Sequence, residues 1–218
     1  VREVDVDGLP GLLDKPRGAI AGIVLAHGAG AGMRHVFMQD IADALAERRI
    51  ATLRYEFPYM AEGRARPDKP DVAEAAVRRA WKFSAKHFAK LPRYAGGKSF
   101  GGRMTSRAHA AEPLEACRGL AFLGFPLHPP DNPAAAEERA EHLPRAIGPL
   151  LFIQGTRDEL APLASLRPIV AKLGARAKLH VVEGADHGYD VLVRSGRTRD
   201  DVIADVAGAI ATWIEADP

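Results

Sequence analysis

Ser99 stands in Gly97-Lys98-Ser99-Phe100-Gly101, with glycine two residues before it and two after. A serine hydroxyl holds its proton tightly at neutral pH, so it attacks a carbonyl only where a base stands beside it. The surroundings suit such a role. A strand-like run, Arg93-Tyr94-Ala95, precedes the serine, and a helix-like run from Arg103 to Ala108 follows it. At a strand-to-helix turn the central residue takes strained backbone angles, and small flanking residues let strand and helix approach closely. The strain lifts the hydroxyl clear of the backbone. It also leaves the next N–H groups at a helix N-terminus, where they favour an anion.

Three further segments carry polar residues just past apolar, strand-like runs. The first, His27-Gly28-Ala29-Gly30-Ala31-Gly32, is a glycine-rich loop with unobstructed backbone N–H groups. It reads as a tight turn, as half of a phosphate loop, or as the second donor of an oxyanion hole paired with the N–H of Phe100. The second, Gln154-Gly155-Thr156-Arg157-Asp158, places an aspartate where it either caps the next helix or orients a base. The third, Ala185-Asp186-His187-Gly188-Tyr189, offers one of eight histidines, and a lone loop histidine is ordinarily a solvated group. The chain order changes the weight of each. Ser99, Asp158 and His187 follow successive strands in the order Ser…Asp…His. A neutral imidazole removes the serine proton as attack occurs, and the aspartate holds its tautomer and stabilises the imidazolium.

The elements that must position these residues alternate between strand and helix. Val1 to Val6, Leu12-Leu13, Ile20 to His27, Ile50 to Tyr55, Tyr94-Ala95, Gly119 to Phe125, Leu150 to Gln154 and Ala177 to Val182 read as strands. Helices are expected over Val36 to Arg48, Asp71 to Phe88, Gly102 to Ala111, Ala134 to Leu143, Ala161 to Leu173 and Asp200 to Ala216. In the second of these, Val72, Ala75, Ala76, Trp81 and Phe83 form the apolar stripe. Glu56 to Pro70 reads as a loop. Such alternation implies an α/β fold with a mostly parallel sheet and helices on both faces, with ligands at the carboxyl ends of the strands.

Composition sets outer bounds. A chain of 218 residues suits one domain over 1–218. With 47% hydrophobic and 27% charged residues it has the balance of a soluble globular protein. Thirty basic against 28 acidic residues give a net charge of +2 and no reason to expect nucleic acid or an anionic membrane as partner. A single cysteine, Cys117, rules out an intramolecular disulfide and fits a reducing compartment, so a cytoplasmic location is expected. The longest apolar run, Ala19 to Ala26, is too short to span a bilayer.

The chain resembles the α/β-hydrolase superfamily over nearly its whole length. More closely it is similar to the small dienelactone-hydrolase-like branch that includes the testis-expressed and chromatin-complex hydrolase-like proteins. The closer match lies in His27-Gly28-Ala29-Gly30, Phe57-Pro58-Tyr59-Met60, Gly97 to Met104, Phe125-Pro126-Leu127-His128-Pro129-Pro130 and Gln154 to Asp158. The fold expected is a sheet of seven or eight strands, and the segment between Phe125 and Leu150 holds about one short helix, which leaves no room for a large lid domain. The resemblance implies Ser99 as nucleophile, Asp158 as acid, His187 as base, and Ala29 with Phe100 as oxyanion donors. Dienelactone hydrolases proper use cysteine as nucleophile, where this chain has serine. A small-molecule acyl ester or thioester is then the expected substrate, without cofactor or metal, in a monomer or small homo-oligomer.

Other readings are weaker. Gly97-Lys98-Ser99 imitates the end of a phosphate loop, but the motif needs glycine where the chain has Pro92. A catalytically silent interaction module on a hydrolase fold is the principal rival, against which all three triad residue types are present. Tyr59 and Met60 either line an acyl pocket or anchor their loop. His128 either reaches the site or serves its proline-rich loop. Arg103, in the first turn behind Ser99, opposes the helix dipole, which favours a surface ion pair or an anionic substrate. Arg64, Arg66 and Lys69 form a basic loop that either attracts anions or is merely solvated.

Overall fold

The computed structural model describes residues 1–128 and 136–216. Eight strands form one sheet: β1 (Arg2–Asp5), β2 (Pro10–Asp14), β3 (Ala21–Ala26), β4 (Ile50–Tyr55), β5 (Arg93–Lys98), β6 (Cys117–Leu123), β7 (Leu150–Gly155) and β8 (Ala177–Val182). Their order is β1-β2-β4-β3-β5-β6-β7-β8. Only β1 with β2 and β2 with β4 pair antiparallel; every other neighbour is parallel. β3, β4 and β7 are buried along their whole length. β3 is wholly apolar, as helices on both faces require. β4 buries Arg54, which donates to the Met33 carbonyl and to Gln39 Oε1, and β7 carries the buried Gln154 near its end.

The helices are α1 (Val36–Glu47), α2 (Pro58–Ala61), α3 (Pro70–His87), α4 (Phe100–Ala111), α5 (Ala136–Ala140), α6 (Leu163–Lys172) and α7 (Arg199–Glu215). One face of the sheet packs against α1 and α7, through Phe37, Ile41, Leu45, Val206 and Ile210. The other packs against α3, α4 and α6, through Val77, Trp81, Met104, Ala108 and Leu166. Thr198 caps α7 by accepting from the N–H of Asp201, whose carboxylate accepts in return from the N–H of Thr198.

Several elements differ from the sequence expectation. β5 runs on through Gly96, Gly97 and Lys98, well past Tyr94-Ala95. Glycines look like a loop in sequence, but here they are squeezed between strands: a Cβ on Gly96 would lie 1.9 Å from the Ala121 carbonyl oxygen. α3 buries Ala73, Ala76, Val77, Ala80, Trp81 and Ser84, leaving Val72 exposed. Its small residues allow close approach to α4, and that contact sets the buried face. Within the expected loop from Glu56, Pro58 starts the short α2, where its fixed φ suits a first helical turn. The helix expected over Ala134 to Leu143 is α5 followed by a tight turn at Leu143–Arg145; its residues 134 and 135, like Pro129 and Pro130, lie outside the described residues. Among the described residues no helix is long and apolar enough to cross a membrane.

Candidate active site

The end of β5 delivers Ser99 to the carboxyl edge of the sheet. Its φ of 48° and ψ of −115° lie where L-residues are strained. Two glycines make that turn possible. A Cβ on Gly97 would lie 2.3 Å from the carbonyl oxygen of Ala26, and one on Gly101 would lie 2.5 Å from that of His27. Strand β3 therefore passes against both sides of the elbow with no room for a side chain. Ser99 N–H donates to the Leu123 carbonyl at 2.9 Å, and the Ser99 carbonyl accepts from Arg103 N–H at 3.1 Å. Phe100 begins α4, so its N–H has no partner within the helix.

Asp158 and His187 come to the same edge from the loops after β7 and β8. The Ser99 hydroxyl stands 2.9 Å from His187 Nε2, and His187 Nδ1 donates to Asp158 Oδ2 at 2.8 Å. A carboxylate only accepts, so Nδ1 carries the proton of the neutral ring and Nε2 is left to receive that of the serine. Asp158 is buried, and each of its oxygens is held. Oδ2 also accepts from Gln154 Nε2 at 2.5 Å, and Oδ1 accepts from Leu160 N–H at 2.9 Å. The histidine loop is shaped by Asp186, whose Oδ1 accepts from the N–H groups of Gly188 and Asp190 at 2.9 and 3.0 Å. Tyr189 pins that loop from below. Its hydroxyl donates to the Ile153 carbonyl at 2.7 Å and its ring stacks on Phe37.

The glycine loop after β3 closes the other side. Phe57 N–H donates to His27 Nε2 at 3.0 Å, so Nδ1 bears the proton and donates to the Gly28 carbonyl at 2.8 Å. The Tyr59 hydroxyl lies 2.8 Å from the Ala29 carbonyl and 3.2 Å from that of Gly28. These bonds fix the loop beside Ser99. Phe57 meets the Phe100 ring edge-on at 5.2 Å, joining this loop to the start of α4. Between the glycine loop and the histidine loop lies a cavity of about 300 Å³. Ser99 and His187 form its floor, and its walls are mostly apolar: Gly28 to Ala31, Phe37, Met38 and Leu160. His35 stands at its rim. Larger hollows beside β1–β2 and between β8 and α7 are remote from Ser99.

A family model of the alpha/beta hydrolase domain matches residues 19–215. The chain belongs to that family. Its fold also matches solved structures at low identity. Dienelactone hydrolase from Anabaena variabilis superposes with a TM-score of 0.76 at 20% identity, covering 98% of this chain and 95% of that one. XC6422 from Xanthomonas campestris, described as an α/β serine hydrolase without lid, gives 0.73 at 20% identity, with coverage of 100% and 96%. A cold-adapted esterase from an Arctic intertidal metagenomic library gives 0.66 at 20% identity, with coverage of 97% and 92%.

In this α/β hydrolase the sequence-expected residues separate into two groups. Ser99, Phe100, Asp158, His187 and Ala29 converge on one edge of the sheet. Tyr59, Met60 and His128 do not line the cavity. Tyr59 is fully buried with its hydroxyl bound to the glycine loop, and Met60 packs against the core. His128 is buried, its N–H bound to the Leu160 carbonyl. Nor is Arg103 a surface residue. It is half-buried with its Nε unpartnered, and burial pushes its guanidinium down to about 10. Arg64 of the basic loop is paired with Glu62 and with the buried Asp68. Cys117 has its thiol pushed up to about 12 by burial, which makes it inert.

Sequence reasoning missed Gln154, Tyr189 and Lys98. Gln154 is buried at the end of β7, where a glutamine requires a partner, and it finds one in Asp158. Lys98 reads in sequence as the end of a phosphate loop and Tyr189 as part of the histidine segment. Their contacts are not legible there, since their partners are backbone carbonyls of distant segments. Among the described residues no group of three or more His, Cys, Asp or Glu side chains is placed to hold a metal.

Proposed function

We propose that this chain is a serine hydrolase that cleaves compact carboxylic esters or thioesters through an acyl-enzyme intermediate. The observation that carries the reading is the continuous run of hydrogen bonds from Ser99 through His187 to Asp158, at 2.9 and 2.8 Å, opening on a cavity. Ser99 Oγ attacks the acyl carbonyl as its proton passes to His187 Nε2. The resulting imidazolium is stabilised by Asp158, whose other contacts hold it in place. The oxyanion develops against the N–H groups of Phe100 and Ala29. Collapse expels the alcohol or thiol, which takes the proton from Nε2. A water then repeats the sequence in reverse roles, releasing the acid and restoring Ser99.

The size of the cavity supports small acyl groups. About 300 Å³ stands at the lower end of the range for ligand sites, and its walls beyond the catalytic groups are apolar. Within the family we place the chain beside the dienelactone-hydrolase-like branch, with serine in place of its cysteine. Two of the structural neighbours named above, an esterase and a serine hydrolase without lid, are consistent with this chemistry.

A fluorophosphonate probe tests the reading directly. Wild-type protein is expected to be labelled at Ser99, as located by peptide mass, and to hydrolyse p-nitrophenyl acetate and butyrate faster than the decanoate. Folded protein that takes no label and turns over no ester or thioester would be a silent module, and the proposal would fail.

A further inference from the structure

Lys98 directly precedes the nucleophile, and the mechanism above gives it no task. Its stem lies on the cavity wall, but its ammonium is turned into the protein. Nζ donates to the backbone carbonyl of His187 at 2.6 Å and lies 5.5 Å from the centre of the Tyr189 ring. A Cβ placed on Gly124, whose φ is +67°, would be 3.3 Å from Lys98 Nζ, 3.4 Å from Asp158 Oδ2 and 3.5 Å from His187 Cε1. The ammonium, the acid and the base thus border one small space at the end of β6. A lysine is rarely buried without a specific partner, because losing hydration is costly. Here the partner is the backbone of the base itself.

We infer that Lys98 is a positioning residue, whose ammonium clamps the His187 carbonyl and so holds the imidazole over Ser99. The inference rests on the hydrolase reading for its kinetic consequence and on geometry alone for the clamp. Asp158, past β7, and Asp186, in the histidine loop, favour the charged lysine. Tyr189 presents its ring, with its phenol raised well above the ordinary range by burial and therefore uncharged. Burial outweighs the two carboxylates and lowers the ammonium to about 8. Below that pH the clamp is charge-assisted. Above it the neutral amine makes a weaker bond, of roughly half the strength.

The test compares wild type, Lys98→Met and Lys98→Arg from pH 6 to 10, after circular dichroism and thermal melts have shown that each is folded. For wild type, kcat/KM on p-nitrophenyl acetate is expected to fall about threefold to tenfold as pH rises through 8, mainly in kcat. Lys98→Met should be slower by about tenfold at pH 7 and lack that alkaline limb. Lys98→Arg, which stays charged, should keep more activity than Lys98→Met and also lack the limb. A limb near pH 8 that survives in Lys98→Met, or a Lys98→Met rate equal to wild type, overturns the inference. Hydrogen exchange of the amides of 186–190 reads the clamp without turnover. Protection factors corrected for intrinsic rate should drop in wild type between pH 7 and 9.5, and be low at both in Lys98→Met; equal protection in the two proteins at pH 7 overturns it. Failure of wild type to react with fluorophosphonate would instead strike the hydrolase reading and leave this exchange test standing.

Discussion

Two serine–histidine pairs occur on the same helix, and by distance alone the wrong one looks better. Ser99 stands 2.9 Å from His187 Nε2 at the head of α4. Ser106, two turns further along, stands 2.7 Å from His142 Nε2. The difference lies in everything around the pair. Ser106 is completely buried, and its hydroxyl donates back to the Arg103 carbonyl at 2.9 Å, so the proton between Ser106 and His142 has to come from the ring. His142 is therefore the opposite tautomer to His187, a donor to its serine and no base for it. In place of the Asp158 carboxylate that orients His187, the ring of His142 meets the backbone of Arg139. Burial, followed by the charges of Arg103, Arg107 and Arg145, drives His142 down to about 3. Proximity of a histidine does not make a nucleophile. A third group on the far nitrogen, an elbow with free N–H donors and an open cavity do.

Ser99→Ala tests the contrast most severely. It should lower kcat/KM by about 10⁴-fold or more, with loss of fluorophosphonate labelling and an unchanged melting temperature. Retained turnover would end the assignment. Asp158→Asn should follow, with kcat lowered by about 10³–10⁴-fold because an amide in that place favours the wrong imidazole tautomer. A loss of only a few-fold would mean that Asp158 is a structural group like the surroundings of His142.

The buried pair should show itself in stability rather than rate. His142 stays neutral in the fold where an unfolded imidazole takes a proton near pH 6.5, so the unfolded state binds more protons between about 6.5 and 3. Stability is then full above that window and is lost as pH falls through it, by about 3–5 kcal/mol from this residue. Urea unfolding at pH 7, 5 and 4 should fall less steeply for His142→Leu than for wild type. Parallel slopes would show that His142 does not resist protonation. The smallest effect is expected of Ser106→Ala, a loss of about 1–3 kcal/mol from an unsatisfied ring N–H, with kcat/KM within about threefold of wild type. A large rate loss in that folded variant would erase the distinction between the two pairs.

Much of this site was legible because its chemistry is local. The glycine spacing around Ser99 and the order of Asp158 and His187 along the chain both follow from backbone geometry and from the alternation of strand and helix. The elements Ile50–Tyr55 and Ala177–Val182 have the bounds expected from the sequence, although Arg54, Lys178 and His180 interrupt their apolar residues. Glycine in β5 was not legible. It signals a loop by propensity, and only the crowding of Ala121 and Ala26 makes it a strand requirement. Tyr59 was ambiguous for a similar reason, because an aromatic at a strand end can face a cavity or the loop beside it.

The sequence by itself determined the reaction class proposed for this chain, through residue types whose roles depend on order and spacing along the backbone. The tertiary structure decided which polar groups are shared between distant segments. It bound Gln154 to Asp158, Tyr59 to the glycine loop and Lys98 to the backbone of His187. It also set the serine–histidine pair proposed to be reactive, which opens on a cavity, apart from the buried one. Those distinctions turn on burial and on which proton lies on which nitrogen, and both are set by neighbours that the linear chain keeps far apart.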